Sequence, residues 1–406
     1  MHINVLAFAV PLFTGFMLLE FYYSKKKAKK VFHFEEAVAN LNIGIAERVT
    51  DLFTTGMFYF LFAWLYKNFA IYHIKPGLFT WLGLFIATDF IWYWYHRFGH
   101  EINLFWSAHV VHHQSNDFNY TASVRITVFQ SVARAIFWSI LPVIGFPPEM
   151  ITLFLLVHGA YPFFTHTQMI GRLGFLEKIF VTPTHHGVHH SSNPEYLDKN
   201  YGDILIIWDK LFGTFAAEKT KPVYGLTKPL ESYSFLWQNF HFMLELVVSF
   251  KRAKGVKNKL KVLFGRPDDI DPRIRYYLEK KFRIHKQVDT TTVLNNYISI
   301  QTVITLGLLF LFVLFEYYFN RVQLIAGALF ILISVINTGA LLEQRRWIFY
   351  LEYIRLVLIS IFIVSFYPNQ FTISISLLVL AGVLSYYKTL SNQYYRYFYN
   401  YSPNTH

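Results

Sequence analysis

Eleven of the seventeen histidines fall between His96 and His190. Most of them stand in three dense groups: HRFGH (His96, His100), HVVHH (His109, His112, His113) and HHGVHH (His185, His186, His189, His190). His158 and His166 lie between the second group and the third. An even spread would put about four histidines in that window. On a helix, residues three and four apart share a face. His96 and His100 are spaced i, i+4; His109, His112 and His113 are spaced i, i+3, i+4, and His186, His189 and His190 repeat that second pattern. Imidazole binds first-row transition metals through a neutral ring nitrogen, so imidazoles gathered on single faces are the ligand supply of a metal centre.

Composition narrows the ligand chemistry. The chain has no cysteine, which excludes disulfides, iron–sulfur clusters, haem–thiolate and thiolate zinc sites. Ligands must be nitrogen or oxygen. A single zinc needs three or four of them, whereas nine or ten imidazoles suit two ions. An all-nitrogen, neutral ligand set leaves the cationic charge uncompensated, which favours O2 and its anionic fragments. Iron is the natural metal for attacking an unactivated C–H bond. His158, alone within an apolar run, reads as a hydrogen-bonded helix contact. His2, His33, His73, His241, His285 and His406 are isolated and read as ordinary histidines.

The elements that must position these residues are membrane helices. Of the 406 residues, 54% are hydrophobic and 15% charged, and mean hydropathy is +0.31. Soluble domains carry about a quarter charged residues. Nine apolar runs approach the roughly 20 residues of a spanning helix: 4–22, 48–70, 77–95, 126–145, 148–165, 293–317, 321–342, 347–366 and 370–388. The fourth and fifth meet at Pro147-Pro148 and could form a re-entrant hairpin; the second carries charge near its start. The first run reads as a retained helix rather than a signal peptide, lacking a basic stretch ahead of it. The expected fold is therefore all-α: a polytopic membrane protein with a histidine-rich di-metal cap. The expected organisation is an N-terminal helix and basic loop over 1–39, a catalytic unit over 40–250, a basic connector over 251–292 and further membrane helices over 293–406.

The net charge of +12 does not make a nucleic-acid stripe. The basic residues sit between apolar runs, where membrane topology and anionic lipid explain them. KKKAKK (Lys25 to Lys30) follows the first run and fixes that loop in the cytoplasm by the positive-inside rule. Alternation from there brings every histidine group, the basic segment 251–286 and EQRR (Glu343 to Arg346) to the same cytoplasmic face. Histidines at one membrane face argue against a metal transporter, which holds its ligands near the midplane. The cysteine-free chain with compact loops is consistent with a bacterial inner membrane. No G-x-G-x-x-G follows a strand and no haem motif occurs, so electrons must come from a separate donor such as a redox protein.

The order HxxxH, HxxHH, a lone histidine after an apolar run, then HxxHH resembles the fatty acid hydroxylase/sterol desaturase superfamily, membrane enzymes with two iron ions. The short gap between His100 and His109 and the stretch YGDILIIWDKLFGTF (Tyr201 to Phe215) strengthen the likeness. HRFGHEINLFWSAHVVHHQSNDFNYTASVR, THTQMIGRLG, TPTHHGVHHSSNPEYLDKNYGDILIIWDKLFGTF and VYGLTKP are further similar to the alkylglycerol monooxygenases, the branch that cleaves ether lipids with tetrahydrobiopterin. The resemblance implies metal ligation by His96, His100, His109, His112, His113, His166, His186, His189 and His190, with His185 as a tenth candidate. It also implies a part in the site for Glu101, which directly follows His100, and for Asn119, Tyr120 and Arg125 in FNYTASVR. Asp117, Asp203 and Asp209 are candidate acceptors for the second nitrogens of the ligand imidazoles.

The reaction so implied is hydroxylation of a lipid C–H bond with O2 and two donor electrons. If the carbon adjoins an ether oxygen, the hemiacetal product collapses to an aldehyde and a free glycerol hydroxyl. Sterol, carotenoid or fatty acyl hydroxylation, or desaturation, would use the same ligands with a different cavity.

Overall fold

The computed structural model describes residues 2–284, 290–345 and 347–399. His285, His406, Arg346 and the end of the basic segment 251–286 lie outside the described residues. Within them the structure is helical, with only two isolated bridges, Phe180 to Leu205 and Ser191 to Tyr224. The chain runs through α1 (Ala9–Lys26), α2 (Phe34–Phe69), α3 (Leu78–Glu101) and the short α4 (Asn103–His109) and α5 (Tyr120–Ser123). Next come α6 (Gln130–Trp138), α7 (Ile140–Ile144), α8 (Pro148–His158), α9 (Tyr161–Thr165), α10 (Pro183–His189) and α11 (Ile207–Phe212). After α12 (Phe235–Arg252), α13 (Val256–Phe264) and α14 (Pro272–Lys281), the chain ends in α15 (Thr292–Leu314), α16 (Arg321–Leu342), α17 (Ile348–Phe366), α18 (Gln370–Ser385) and α19 (Tyr387–Tyr399).

Four segments are long and apolar enough to cross a membrane: Val5–Lys26, Thr292–Leu314, Arg321–Leu342 and Ile348–Phe366. A fifth candidate is α18 with α19, bent by 72° at their break. The two apolar runs over 126–165 do not form spans. They fold as α6 to α9, the longest of which has 11 residues. At 1.5 Å per residue that helix is about 16 Å long, roughly half the hydrocarbon thickness. The segment is a set of broken helices packed on α2 and α3, as Gly145 and the Pro147-Pro148 pair dictate.

The charge that weakens the second apolar run has a structural use. Residues 34–69 form one 36-residue helix whose first half buries Glu36, Asn40, Asn42 and Glu47. Each makes at least one side-chain hydrogen bond. Asn40 Nδ2 donates to Ser115 Oγ (3.1 Å) and Thr121 Oγ1 (3.0 Å), Asn116 Nδ2 donates to Glu36 (2.9 Å), and Thr338 Oγ1 donates to Asn42 (3.0 Å). Glu47 accepts from the Arg48 guanidinium at 2.6 Å. The polar face of α2 thus forms a floor beneath residues 114–125.

The C-terminal helices brace this floor. α16 packs along α2, α15 and α17. Val110 and Val111, the residues between His109 and His112, share one apolar core with Ile43, Val49, Leu309 and Val335. Gly44 is where α2 meets the 119–125 segment most closely: a Cβ there would lie 2.8 Å from the Val124 carbonyl oxygen. Backbone cannot yield as a side-chain tip can, so Gly44→Ala should cost about 1–3 kcal/mol, the usual range for overpacking. A lowered melting midpoint in detergent, with Gly56→Ala (open space around its Cβ) as the neutral control, checks this.

Candidate metal centre

Nine histidines converge in two adjoining groups. His96, His100, His109, His113 and His189 form one; His112, His166, His186 and His190 form the other. Within each group, one nitrogen of every ring lies within 4.8 Å of the corresponding nitrogens of the rest. The division follows a rule. In both HxxHH motifs the i and i+4 imidazoles enter one group and the i+3 imidazole enters the other. A helix turns about 100° per residue, so i+4 lies about 40° to one side of i and i+3 about 60° to the other. The motif in α10 follows this geometry directly. At the second motif, α4 ends at His109 and a 3-10 turn (His112–Gln114) carries the remaining two rings. The two motifs therefore exchange ligands: His112 leaves its neighbours for the second group, and His189 leaves its neighbours for the first.

Backbone carbonyls orient the rings. His96 Nδ1 bonds the Tyr201 carbonyl (2.8 Å), His112 Nδ1 that of Arg125 (3.1 Å), His166 Nδ1 that of Pro162 (2.6 Å) and His189 Nδ1 that of Lys199 (2.8 Å). A carbonyl can only accept, so each of these Nδ1 atoms carries the proton and each Nε2 presents a bare lone pair. Yet His166 Nε2 lies 3.2 Å from His112 Nε2. Two lone pairs at that distance repel unless a cation sits between them. His96 Nε2 and His189 Nε2 are buried with no hydrogen-bond partner at all. Nε2 pairs also stand 3.1 Å apart at His100–His113, His109–His113, His166–His190, His166–His186 and His186–His190. Adjacent ligands bound at about 2.1 Å are separated by about 3.0–3.4 Å in octahedral or tetrahedral coordination. The residues therefore fit two metal ions.

Electrostatics agree. Burial pushes the His112 imidazole down to about 4. Burial, reinforced by neighbouring imidazoles, also holds His113 and His186 well below the usual histidine range. The rings are neutral, which is the ligating form. No carboxylate belongs to either group among the described residues.

The remaining site candidates surround the ligands. His185 lies outside both groups, its ring 5.6 Å from Phe215. Glu101 accepts from Arg97 Nε at 3.1 Å on the partly exposed rim. Asn119 is fully buried, donates to the Val31 carbonyl (2.6 Å) and caps α5 by accepting from the Thr121 backbone N–H (2.9 Å). Tyr120 stacks on Phe163 at 4.7 Å. Arg125 is fully buried and donates to the Val111 carbonyl, Asn40 and Gln114 at 2.5–2.9 Å, while its own carbonyl holds His112. The acidic acceptors do not touch ligand rings. Asp117 pairs with His33 (2.6 Å) and Asp203 with His158 (2.8 Å), while Asp209 accepts from the backbone N–H groups of Tyr201 and Gly202 (2.7 Å each). Among the buried acids that escaped the sequence reading, two lie within apolar runs near the histidines. Glu20 on α1 accepts from Thr167 Oγ1 and from the Tyr120 N–H (2.7 Å), and Asp89 lies on α3. Both carry a legible signal, an ionisable residue within an apolar run.

Residues 81–214 match the fatty acid hydroxylase family model, a span that contains all nine converging histidines. Alkylglycerol monooxygenase of Homo sapiens is 33% identical over 347 residues, covering 83% of this chain and 77% of its own. The Danio rerio alkylglycerol monooxygenase is 31% identical, covering 87% and 81%. The chain belongs to the fatty acid hydroxylase family. It is a membrane-embedded, metal-binding oxidoreductase, a monooxygenase that hydroxylates a lipid with O2. The ornithine lipid hydroxylase OlsE of Rhizobium tropici is 34% identical over a third of the chain. No solved structure matches significantly.

If the division into two groups is correct, removing one ring should empty one site. His166→Ala and His189→Ala should each lower bound metal from about two ions per chain to about one, whereas His185→Ala should leave it near two. Elemental analysis of purified protein checks all three.

Proposed function

We propose that this chain is a di-iron monooxygenase that hydroxylates the ether-adjacent carbon of alkylglycerol lipids, releasing an aldehyde and glycerol. The observation that carries the reading is the convergence of five imidazoles in one group and four in the other, with two rings of each group (His96 and His189, His112 and His166) turned by backbone carbonyls so that a bare Nε2 points inward. The overall similarity to alkylglycerol monooxygenases over most of both chains supports the substrate class. Bound iron supplies the activation of O2 that hydroxylation of an unactivated C–H bond requires.

The chain's own residues do the rest. The neutral imidazoles hold the metal, and the carbonyls of Tyr201, Arg125, Pro162 and Lys199 fix their tautomers and tilt. Phe118, stacked on Tyr224 at 4.7 Å, covers His166 and His190, and Trp106 lies along His113 at 5.8 Å. These rings exclude water from the reacting side. Tyr120, Phe163, Phe13 and Phe16 make an apolar wall between α1 and α9 beside His166, suited to an alkyl chain. Asn119 and Arg125 act as positioning residues through the backbone they hold. Glu101, paired with Arg97 on the partly exposed rim, is the carboxylate this reading assigns to helping the pterin. Tetrahydrobiopterin is the donor this reading favours over a separate redox protein. The catalytic unit is 40–250, preceded by the N-terminal helix and basic loop of 1–39. The connector 251–292 and the C-terminal helices after it complete the chain. The histidines face the cytoplasm, consistent with Lys25 to Lys30 after α1. A bacterial inner membrane is the compartment that the cysteine-free composition favours.

Protein purified in detergent from iron-supplemented cells, given O2, tetrahydrobiopterin and an alkylglycerol, should hold about two irons per chain and release aldehyde only when the pterin is present. Two irons with hydroxylation of an acyl or ornithine lipid instead would replace the substrate and keep the centre. Less than one tightly bound metal per chain would overturn the centre itself.

A further inference from the structure

A second cluster of titratable groups lies outside both histidine groups. Asp89 on α3, His158 at the end of α8 and Asp203 in the turn before α11 are each at most 5% exposed. His158 Nδ1 lies 2.8 Å from Asp203 Oδ2, and His158 Nε2 lies 3.4 Å from Asp89 Oδ1. The separations are those of ion pairs, although neither nitrogen has the angle of a regular hydrogen bond. Asp89 also grips backbone. Its Oδ1 accepts from the Ile204 N–H (3.0 Å), and its Oδ2 accepts from the Leu205 N–H (3.2 Å) and Trp208 Nε1 (2.8 Å).

The gripped segment is the one that orients a metal ligand. Tyr201, three residues before Ile204, supplies the carbonyl that holds His96 Nδ1. Asp89 and His96 are seven residues apart on α3, hence on one face and about 10 Å apart along the axis. α3 therefore grips residues 201–208 at two rungs. Asp89 forms one, and His96 meets the Tyr201 carbonyl at the other. Between the rungs, Gly202 has no room for a side chain: a Cβ would lie 2.7 Å from the Leu205 carbonyl oxygen and 2.9 Å from Asp209 Oδ2. A segment this confined transmits a shift at its lower end to its upper end.

We propose that Asp89, His158 and Asp203 form a buried charged latch that positions His96 for metal binding by fixing the Tyr201 carbonyl. Asp89 is the positioning residue. His158 joins it to Asp203 and so ties α8 into the same rung. The latch rests on the reading of His96 as a ligand in the five-histidine group.

The test is cobalt(II) titration of metal-depleted, folded protein, followed by ligand-field absorption, on wild type, Asp89→Asn and Asp203→Asn. Wild type reports in the same experiment whether two sites exist, so failure of the two-site reading is separable from failure of the latch. Asp89→Asn should weaken the five-histidine site by roughly 10–100-fold, the usual cost of removing a group that orients a ligand. The band lost by His189→Ala should shift, and the band lost by His166→Ala should not. Asp203→Asn leaves the backbone contacts of Asp89 intact and should weaken the same site in the same direction, which keeps the test open if Asp89→Asn does not fold. Unchanged affinity and spectra in a folded variant would reduce the cluster to a stability role and overturn the latch. A third cobalt equivalent in wild type, absent from His158→Ala, would overturn it in favour of a metal site at the cluster.

Discussion

The fold depends on lone pairs forced to face one another. Four of the nine converging imidazoles are committed to the Nδ1–H tautomer by backbone carbonyls, and two of these, His112 and His166, turn their bare Nε2 atoms to within 3.2 Å of each other in a buried space. Without a cation that arrangement is repulsive and desolvated at once. With one, each lone pair gains a bond, so part of the free energy of metal binding is free energy of folding. Helix ends and turns within residues 81–214 hold these rings in a posture that a bound cation would make favourable.

The supports come from different parts of the chain. The acceptor carbonyls belong to residues 125, 162, 199 and 201, so the arrangement of the rings depends on two loops and the short α9 having settled. Those loops rest on α2, whose Glu36 and Asn40 hold residues 115–125, and on α1, whose Glu20 holds Thr167 beside His166. Helices outside the family-matched region are thereby tied to the metal site. The C-terminal helices act at one remove, through the apolar core that encloses Val110 and Val111.

Much of the centre was legible in the sequence, because imidazole spacing on a helix is a local property. The nine converging histidines are those the motif order implies, and His158 lies outside the two groups, between Asp203 and Asp89. The acceptors were not legible, since every residue has a carbonyl and composition cannot tell which one faces a ring. Of Asp117, Asp203 and Asp209, only Asp209 stands one step from a converging ring, through the Tyr201 backbone; Asp117 pairs with His33 and Asp203 with His158, both outside the two groups. The apolar runs over 126–165 left two spans or a hairpin open at Pro147-Pro148; proline and glycine in fact break them into helices too short to cross a membrane. The charges in α2 pointed the other way. They looked like a flaw in a spanning helix and instead form the polar face that packs beneath residues 114–125.

The central claim is that five imidazoles hold one ion and four hold the other. Iron-edge anomalous diffraction from crystals of iron-loaded protein tests it most directly. The account predicts two anomalous peaks, one among the Nε2 atoms of His96, His100, His109, His113 and His189, the other among those of His112, His166, His186 and His190. A single peak, or a ligand assignment in which His112 and His189 stay with their own motifs, would contradict it.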